Sequence, residues 1–346
     1  MINELKKMKI WFKFVFLVRS ESSLKLNFFN RLKWNIRGFT EQEVFTYNLK
    51  NNDYNNYITD FKRRVYREKM NGRFTPLMDD KILFSKFIGA DLPTSKIFFY
   101  IINKKIYTFD KMNITDRKTF FKLLFNQKKL VLKRISDGGG KGVYVISYVN
   151  NSFFIDQEEA CKEDIFELIT SNEESIIQEF IVQSDYSKSF YKYTTNTLRF
   201  MVGKNMETSN FELLFACQRI GRKESIPVDN ADRGGLTASI NLESGELGKA
   251  ISYKINPQKW YINHPESHEL IEGNTVPNWK ELTNFILNIS SKYPYLNYMN
   301  WDIVITESGP KIIELNASTS AELFQVISGQ KNKKIGKFLK SYGVPE

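Results

Sequence analysis

The chain has 346 residues, 42% of them hydrophobic, with 50 Lys and Arg against 39 Asp and Glu, a formal net charge of +11. That length can bury a substantial core in one large domain or in two to three lobes, and the sequence holds no internal repeat or low-complexity tract. Cys161 and Cys217 are too few for a disulfide scaffold and lack metal-ligand spacing, so a reducing, cytoplasmic compartment is expected.

The positive excess sits at the start: residues 1–75 carry 16 Lys and Arg against 7 Asp and Glu. Lys6, Lys7, Lys9, Lys13, Arg19, Lys25, Arg31, Lys33 and Arg37 are mixed there with Trp11, Phe12, Phe14, Phe16, Phe28, Phe29 and Trp34. The apolar run Ile10–Val18 is broken by Lys13 and is about half the length that crosses a bilayer. No small-residue cleavage site follows, so a signal peptide is not expected. Three uses remain open for residues 1–37: a helical layer packed on the rest, peripheral contact with an anionic membrane at its inner face, or, least favoured, nucleic-acid binding.

Residues 38–75 read mostly as helix, with Thr40-Glu-Gln-Glu43 as a capping box ahead of Val44, Phe45 and Tyr47. The polar stretch Asn48–Asn56 reads as a loop before an amphipathic helix over Tyr57–Met70. Another helix is expected from Asp79-Asp80, turning Ile82, Leu83, Phe84, Phe87 and Ile88 inward and ending at Gly89–Pro93. Strands near 97–102, 129–135 and 142–148, a helix near 157–170 and a strand near 175–181 describe a small lobe. Long strands at 195–203 and 211–220, a Gly234-Gly235 loop and a helix at 278–291 follow. His264 and His268 stand four apart near glutamates, which makes a zinc site imaginable, but beside Pro265 a surface turn is expected.

Two segments carry chemistry. In Leu130–Ile146, two strands flank a loop with Gly138, Gly139, Gly140 and Gly142, whose bare backbone N–H groups can close on phosphate oxygens while Lys133 and Lys141 add charge. No helix-opening Gly-Lys-Ser/Thr follows, so this is not the Walker pattern, and a flexible hairpin loop is the plain alternative. In Asn300–Asn316, the branched runs Ile303–Ile305 and Ile312-Ile313 flank a turn at Glu307–Pro310. With an odd-numbered loop and Gly309 at positive φ, Asp302 and Glu314 would lie opposite each other with Asn316 beside them. Ile303, Ile305, Ile313 and Leu315 would then fill the other face. Two carboxylates that close repel unless a cation joins them, and oxygen-only ligands favour magnesium, with manganese admissible. The plain alternative is a solvated acidic face.

Together these segments resemble the ATP-grasp superfamily over roughly residues 76–328. The parts come in matching order: Asp80-Lys81 opening a helix, Lys133 before the glycine loop, Gln178-Glu179-Phe180-Ile181 as a hinge, Asn196–Arg199 on a strand, then Asp302 and Glu314-Leu-Asn316. Asn196–Arg199, Val228–Asn230, Gly234-Gly235, His264-Pro265, Val276–Trp279 and the Trp301–Asn316 block look most like the sugar-transfer-associated group. The resemblance implies an α+β fold whose two lobes hold ATP between them. It divides the chain into a basic helical region (1–76), a first ATP-grasp segment (77–110), a lid lobe (111–182) and a metal- and substrate-binding lobe (183–346).

It also implies roles. Lys133 would contact the α- and β-phosphates and Lys81 would add a second cation, although a surface helix lysine is the commoner reading of Lys81. The loop with Gly138, Gly139, Gly140, Lys141 and Gly142 would close over the phosphates. Gln178–Ile181 would address the adenine edge, Asp185 the ribose, and Asp302, Glu314 and Asn316 the metal. Arg199 would grip the transferring phosphoryl group, a salt bridge being the alternative. Arg219–Arg222, Asp229-Asn230, Arg233–Gly235 and Ser318–Ser320 would line the acceptor side. The chemistry implied is carboxylate–amine ligation through an acyl phosphate, on a glycan or sugar-linked carboxylate. A kinase on the same fold and a basic non-catalytic membrane- or nucleic-acid-binding module are the alternatives.

Overall fold

The computed structural model describes residues 2–17, 25–62, 70–136, 140, 142–172, 174–254 and 258–344. Gly138, Gly139, Lys141 and residues 63–69 of the expected helix over Tyr57–Met70 therefore lie outside the described residues.

Eight short strands build the first sheet: β1 (Ile97–Ile102), β2 (Lys105–Thr108), β3 (Ile114–Thr115), β4 (Lys129–Arg134), β5 (Tyr144–Val149), β6 (Ser152–Ile155), β7 (Glu158–Ala160) and β8 (Ser175–Glu179). Their order is β3-β2-β1-β8-β4-β5-β6-β7, with every pair antiparallel. β1 alternates burial residue by residue, so Ile97, Phe99 and Ile101 turn to one face as period-two patterning requires. Helix Arg117–Gln127, capped by Asp116, brings Phe120, Phe121 and Leu124 to this sheet, and helix Lys162–Ser171 adds Ile165 and Ile169.

β1 and β2 are hydrogen-bonded into the same sheet as β8 and β4. The helix expected from 157 starts at Lys162, because Glu158–Ala160 pairs with Phe153–Ile155 as an edge strand. Its two glutamates are solvent-exposed, which an edge strand tolerates.

The second sheet has seven strands: β9 (Leu198–Lys204), β10 (Phe211–Ile220), β11 (Leu236–Ile240), β12 (Leu247–Ser252), β13 (Lys259–Tyr261), β14 (Tyr298–Thr306) and β15 (Gly309–Asn316). Their order, β13-β12-β11-β10-β9-β14-β15, puts the C-terminal hairpin beside β9. Helix Trp279–Ser291 buries Trp279, Leu282, Ile286 and Ile289 against it, and the Trp279 indole stacks on Phe200 at 5.4 Å.

The segment leading into the first sheet differs from expectation in one residue. Phe84 and Ile88 are buried, but Phe87 is 65% exposed because residues 84–88 form a π turn that rotates it out of helical register. The capping box is present: Thr40 accepts from the Glu43 amide and Glu43 Oε2 accepts from the Thr40 amide at 2.9 Å. His264 is not on a surface turn. It is fully buried, with Nε2 2.9 Å from the Gly221 carbonyl, Nδ1 accepting from the Ser267 amide, and its ring stacked on Tyr191. Burial holds its pKa below the ordinary histidine value. With both ring nitrogens engaged it is a structural histidine.

Candidate functional site

A cleft of about 350 Å³ opens between the two sheets. Register places its charged floor. Cys217 pairs with Arg199 across β10–β9, Arg199 with Asp302 across β9–β14, and Asp302 with Glu314 across β14–β15. Opposed residues on neighbouring strands share a face, so Arg199, Asp302 and Glu314 form a row, and Arg219, two residues beyond Cys217, joins that face.

The row depends on a β-bulge. Near the turn Thr306 pairs with Gly309 and Ile303 with Ile312, the register of a two-residue loop, Glu307-Ser308. Continued unchanged, that ladder would set Ile313 opposite Asp302. One extra residue on β15 shifts the register so that Glu314 stands there instead. The expected opposition of Asp302 and Glu314 is therefore present, but an odd-numbered loop does not cause it. The bulge also moves Ile313 out of its expected place: Ile312 enters the core with Ile303 and Leu315, and Ile313 lines the cleft.

The charges are dense and paired. Asp302, 2% exposed, accepts from Arg199 Nε, from Arg199 Nη2 at 2.6 Å and from Arg219 Nη1 at 3.2 Å. Arg219 also pairs with Asp229 at 2.7 Å, whose other oxygen accepts from the Thr197 amide at 2.8 Å and from its hydroxyl. Arg199 Nη1 reaches the Thr319 hydroxyl at 3.1 Å. Lys81 Nζ lies 3.9 Å from Glu314 Oε2 and donates to the Ile135 carbonyl. Lys81 is thus buried in the cleft and is not the surface lysine that its helix position suggests. Asn316 Nδ2 donates to Glu314 Oε1 at 3.2 Å.

Burial and these neighbours set the proton affinities. Burial lifts the Asp302 carboxyl to about 6 against the pull of Arg199 and Arg219, so it remains mostly ionised at neutral pH. Burial also raises Glu314, but Lys81 and Lys133 more than reverse it and hold that carboxyl well below the usual range. Lys133, on β4 and 6% exposed, is lowered to about 8 by burial and by repulsion from Lys81, with Glu314 and Asp302 offsetting part of the shift. Cys217 is pushed up to about 12 by burial and is no nucleophile at neutral pH.

The wall from the first sheet is different in kind. Val131, Val143, Val145, Phe180 and Ile181 give it an apolar surface beside the backbone of Gln178–Ile181. Glu179 Oε2 is held by Lys311 at 3.0 Å, which ties the hinge to β15, and Ile312 N donates to the Pro93 carbonyl at 2.8 Å, which ties the segment before β1 to the same strand. Of the glycine stretch, Gly140 meets the far wall. Gly140, at φ +71°, sits where an added Cβ would come within 2.8 Å of Val228, and its carbonyl is 3.4 Å from Arg233 Nη1.

The cleft thus brings together Lys81, Lys133, Gly140, Gln178, Glu179, Phe180, Ile181, Arg199, Asp302, Glu314 and Asn316. Asp185 is not among its lining residues. It opens a short helix, exposed, with its amide on Glu307 and its carboxylate on Lys188. Arg222 is likewise taken up by Glu266 at 3.0 Å and Glu224 at 3.3 Å. Arg219, Asp229, Asn230 and Ser318–Ser320 do line the cleft. Tyr253 and Lys254 join them without a sequence signal, since they follow β12 in no recognisable motif.

Asp302, Glu314 and Asn316 offer oxygens only, which suits a hard divalent cation. Among the described residues no group of three or more His, Cys, Asp or Glu stands close enough to hold a metal alone. Two carboxylates, the Asn316 amide oxygen and oxygens from a bound anion would have to share the ion.

Two lobes closing on such a floor define the ATP-grasp class. A family model described as sugar-transfer associated ATP-grasp matches residues 60–337, and the chain belongs to that family. Solved structures that match the chain include an N5-carboxyaminoimidazole ribonucleotide synthetase in complex with ADP, at 11% identity and a TM-score of 0.45, covering 80% of this chain and 55% of the other. A D-alanyl-alanine synthetase A from Vibrio cholerae matches at 12% identity and a TM-score of 0.46, covering 77% and 64%. The ligase PsnB with a minimal precursor matches at 13% and 0.37, covering 72% and 56%. The chain spans less than two thirds of the length of each of these structures. No curated protein matches the sequence.

Proposed function

We propose that the protein is an ATP-dependent ligase that activates a carboxylate as an acyl phosphate and passes the acyl group to an amine, on a sugar-linked or other glycan carboxylate. The observation that supports this most is the cation set around one anionic row. Lys81, Lys133, Arg199 and Arg219 converge on Asp302 and Glu314 in a cleft whose first-sheet wall also carries Val131, Val143, Val145 and Phe180. A nucleotide fits with its base against Val131, Val145 and Phe180 and its phosphates toward Lys81 and Lys133.

The chain's residues position and neutralise rather than attack. A carboxylate oxygen of the substrate attacks the γ-phosphorus, the bond to the β-phosphate oxygen breaks, and ADP leaves as Lys133 meets the growing charge. Arg199 and Arg219, fixed by Asp302, would turn the N–H groups left over from these pairings toward the transferring phosphoryl group. The amine then attacks the acyl carbon, phosphate departs, and the amine proton passes to solvent. Asp302, Glu314 and Asn316 would hold magnesium, or manganese in its place, which supplies charge neutralisation at the phosphates.

The test is coupled phosphate release from ATP with panels of uronic acids and amino acids. ADP and free phosphate formed only when carboxylate and amine are both present is the expected result. A phosphorylated sugar without free phosphate would replace the ligase reading by the kinase. Nucleotide plus magnesium that leaves the melting temperature unmoved would remove both.

A further inference from the structure

The first two helices, Ile2–Leu17 and Phe28–Ile36, pack through a narrow seam. Phe14 and Val15 are buried, the Phe14 ring lies 5.3 Å from Phe61, and Asn35 Nδ2 donates to the Val15 carbonyl at 3.0 Å. That seam holds the pair on the protein, yet most of its apolar surface faces solvent. Met8, Phe12 and Phe16 recur every four residues, one stripe of a helix, at 63%, 61% and 45% exposure. Phe12 and Phe16 pack on each other, 4.6 Å between rings. On the second helix Phe28, Phe29 and Ile36 are 56%, 80% and 54% exposed. Of the 19 large apolar side chains exposed among the described residues, 7 fall within residues 8–36, a concentration that singly scattered surface residues do not produce.

Charge decides what covers it. Lys9 and Lys13 each follow a member of the apolar stripe by one position and form the adjoining stripe, Lys33 lies between Phe29 and Ile36, and Arg31 rests over the Phe28 ring at 5.6 Å. Residues 1–37 hold nine basic and two acidic side chains. Phenylalanines flanked by long cationic side chains match a plane that is apolar a few ångströms below an anionic surface. A nucleic-acid backbone would satisfy the lysines and leave the phenylalanine stripe in water. No helix among the described residues is long and apolar enough to cross a membrane, so the pair would lie in the interface.

We infer that these two helices dock the protein on an anionic lipid bilayer, with Phe12, Phe16 and Phe29 entering the acyl boundary and Lys9, Lys13 and Lys33 meeting headgroup phosphates. The test is flotation of the full chain, without nucleotide, with vesicles of phosphatidylglycerol and phosphatidylcholine or of phosphatidylcholine alone. Binding to the anionic vesicles, weakened by salt, is expected. Lys9→Gln and Lys13→Gln should each weaken it about fivefold, the share of one cation near such a surface. The triple change Phe12→Ser, Phe16→Ser, Phe29→Ser should weaken it more than tenfold with an unchanged melting temperature, since all three side chains are exposed. Equal binding to neutral vesicles, or full binding by the triple variant, overturns the inference. So does absence of vesicle binding in a wild-type dimer that the triple variant converts to monomer, or in a protein that instead retains duplex DNA. Ligase activity does not enter the assay, so its outcome is independent of the cleft.

Discussion

The two walls of the cleft are both antiparallel sheets, but they carry charge in opposite ways. The wall from β9, β10, β14 and β15 buries Arg199 and Arg219 with Asp302 in fixed register, and Asp229, from the segment between β10 and β11, pairs with Arg219, so that each ion meets a partner at hydrogen-bond distance. The wall from β4 and β8 sets one buried lysine, Lys133, near Val131, with Arg134, Gln178 and Glu179 also lining the cleft. Buried ions that are paired become part of the structure, and removing one partner strands the other. A buried ion without a partner in hydrogen-bonding register gives way in its pKa, and it is the more responsive to an incoming anion. The paired wall is therefore expected to hold shape and the wall that carries Lys133 to respond to ligand.

The largest effect should come from breaking the paired wall. Asp302→Ala leaves Arg199 and Arg219 short of their shared carboxylate and should cost about 3–5 kcal/mol of stability, seen as a lowered melting temperature together with lost phosphate release. A variant that melts like the wild type would show that these arginines find solvent. Glu314→Gln, by contrast, should keep the fold and lower turnover by at least about 100-fold, because it weakens the carboxylate placed to neutralise metal and phosphate charge. Normal turnover would remove Glu314 from the site.

Changes in the other wall should register in affinity. Lys133→Ala is expected to weaken nucleotide binding about 10- to 100-fold, the worth of one charge-assisted hydrogen bond, measured by titration with a fluorescent nucleotide. Metal-free nucleotide affinity should also fall as pH rises through about 8, where Lys133 loses its proton. The sign follows from the depressed value: the charged lysine costs the folded state stability below about 8, and that cost fades between 8 and the ordinary 10.5 as it deprotonates. Binding an anion favours the proton, so affinity is greatest on the acid side of that range. An unchanged affinity up to pH 10 would assign phosphate contact to other cations.

The smallest effect concerns the loop. Gly140→Ala forces a Cβ onto a positive φ, within 2.8 Å of Val228, and should cost about 1 kcal/mol, raising the nucleotide requirement about fivefold. Adding Val228→Ala should recover the steric part and leave the backbone part.

Much of this was readable from the chain. Hydrophobic alternation and glycine placement located most strands, and the order of Lys133, the glycine loop, Gln178–Ile181, Asp302 and Glu314-Leu-Asn316 carried the family. Lys81 was named from its place after Asp80, but nothing local shows that it is buried. The bulge at Ile313 left no trace in the sequence, since a hairpin with or without it uses the same branched residues. Arg219 gives only a general signal as one of several arginines near the acceptor side, and the spacing that points to Asp185 does not show that it lies outside the lining of the cleft.

The sequence by itself determined which residues are apolar, where turns can form and which carboxylates and cations are available, because these follow from side-chain chemistry and local backbone preference. Tertiary structure decided which charges meet. Cys217, Arg199, Asp302 and Glu314 come from four strands across about a hundred residues of chain, and only strand order and a one-residue shift in register put them in line. The same long-range packing sealed His264 into the core and left Phe12, Phe16 and Phe29 in solvent. Burial belongs to the assembled surface, which no short stretch of sequence contains.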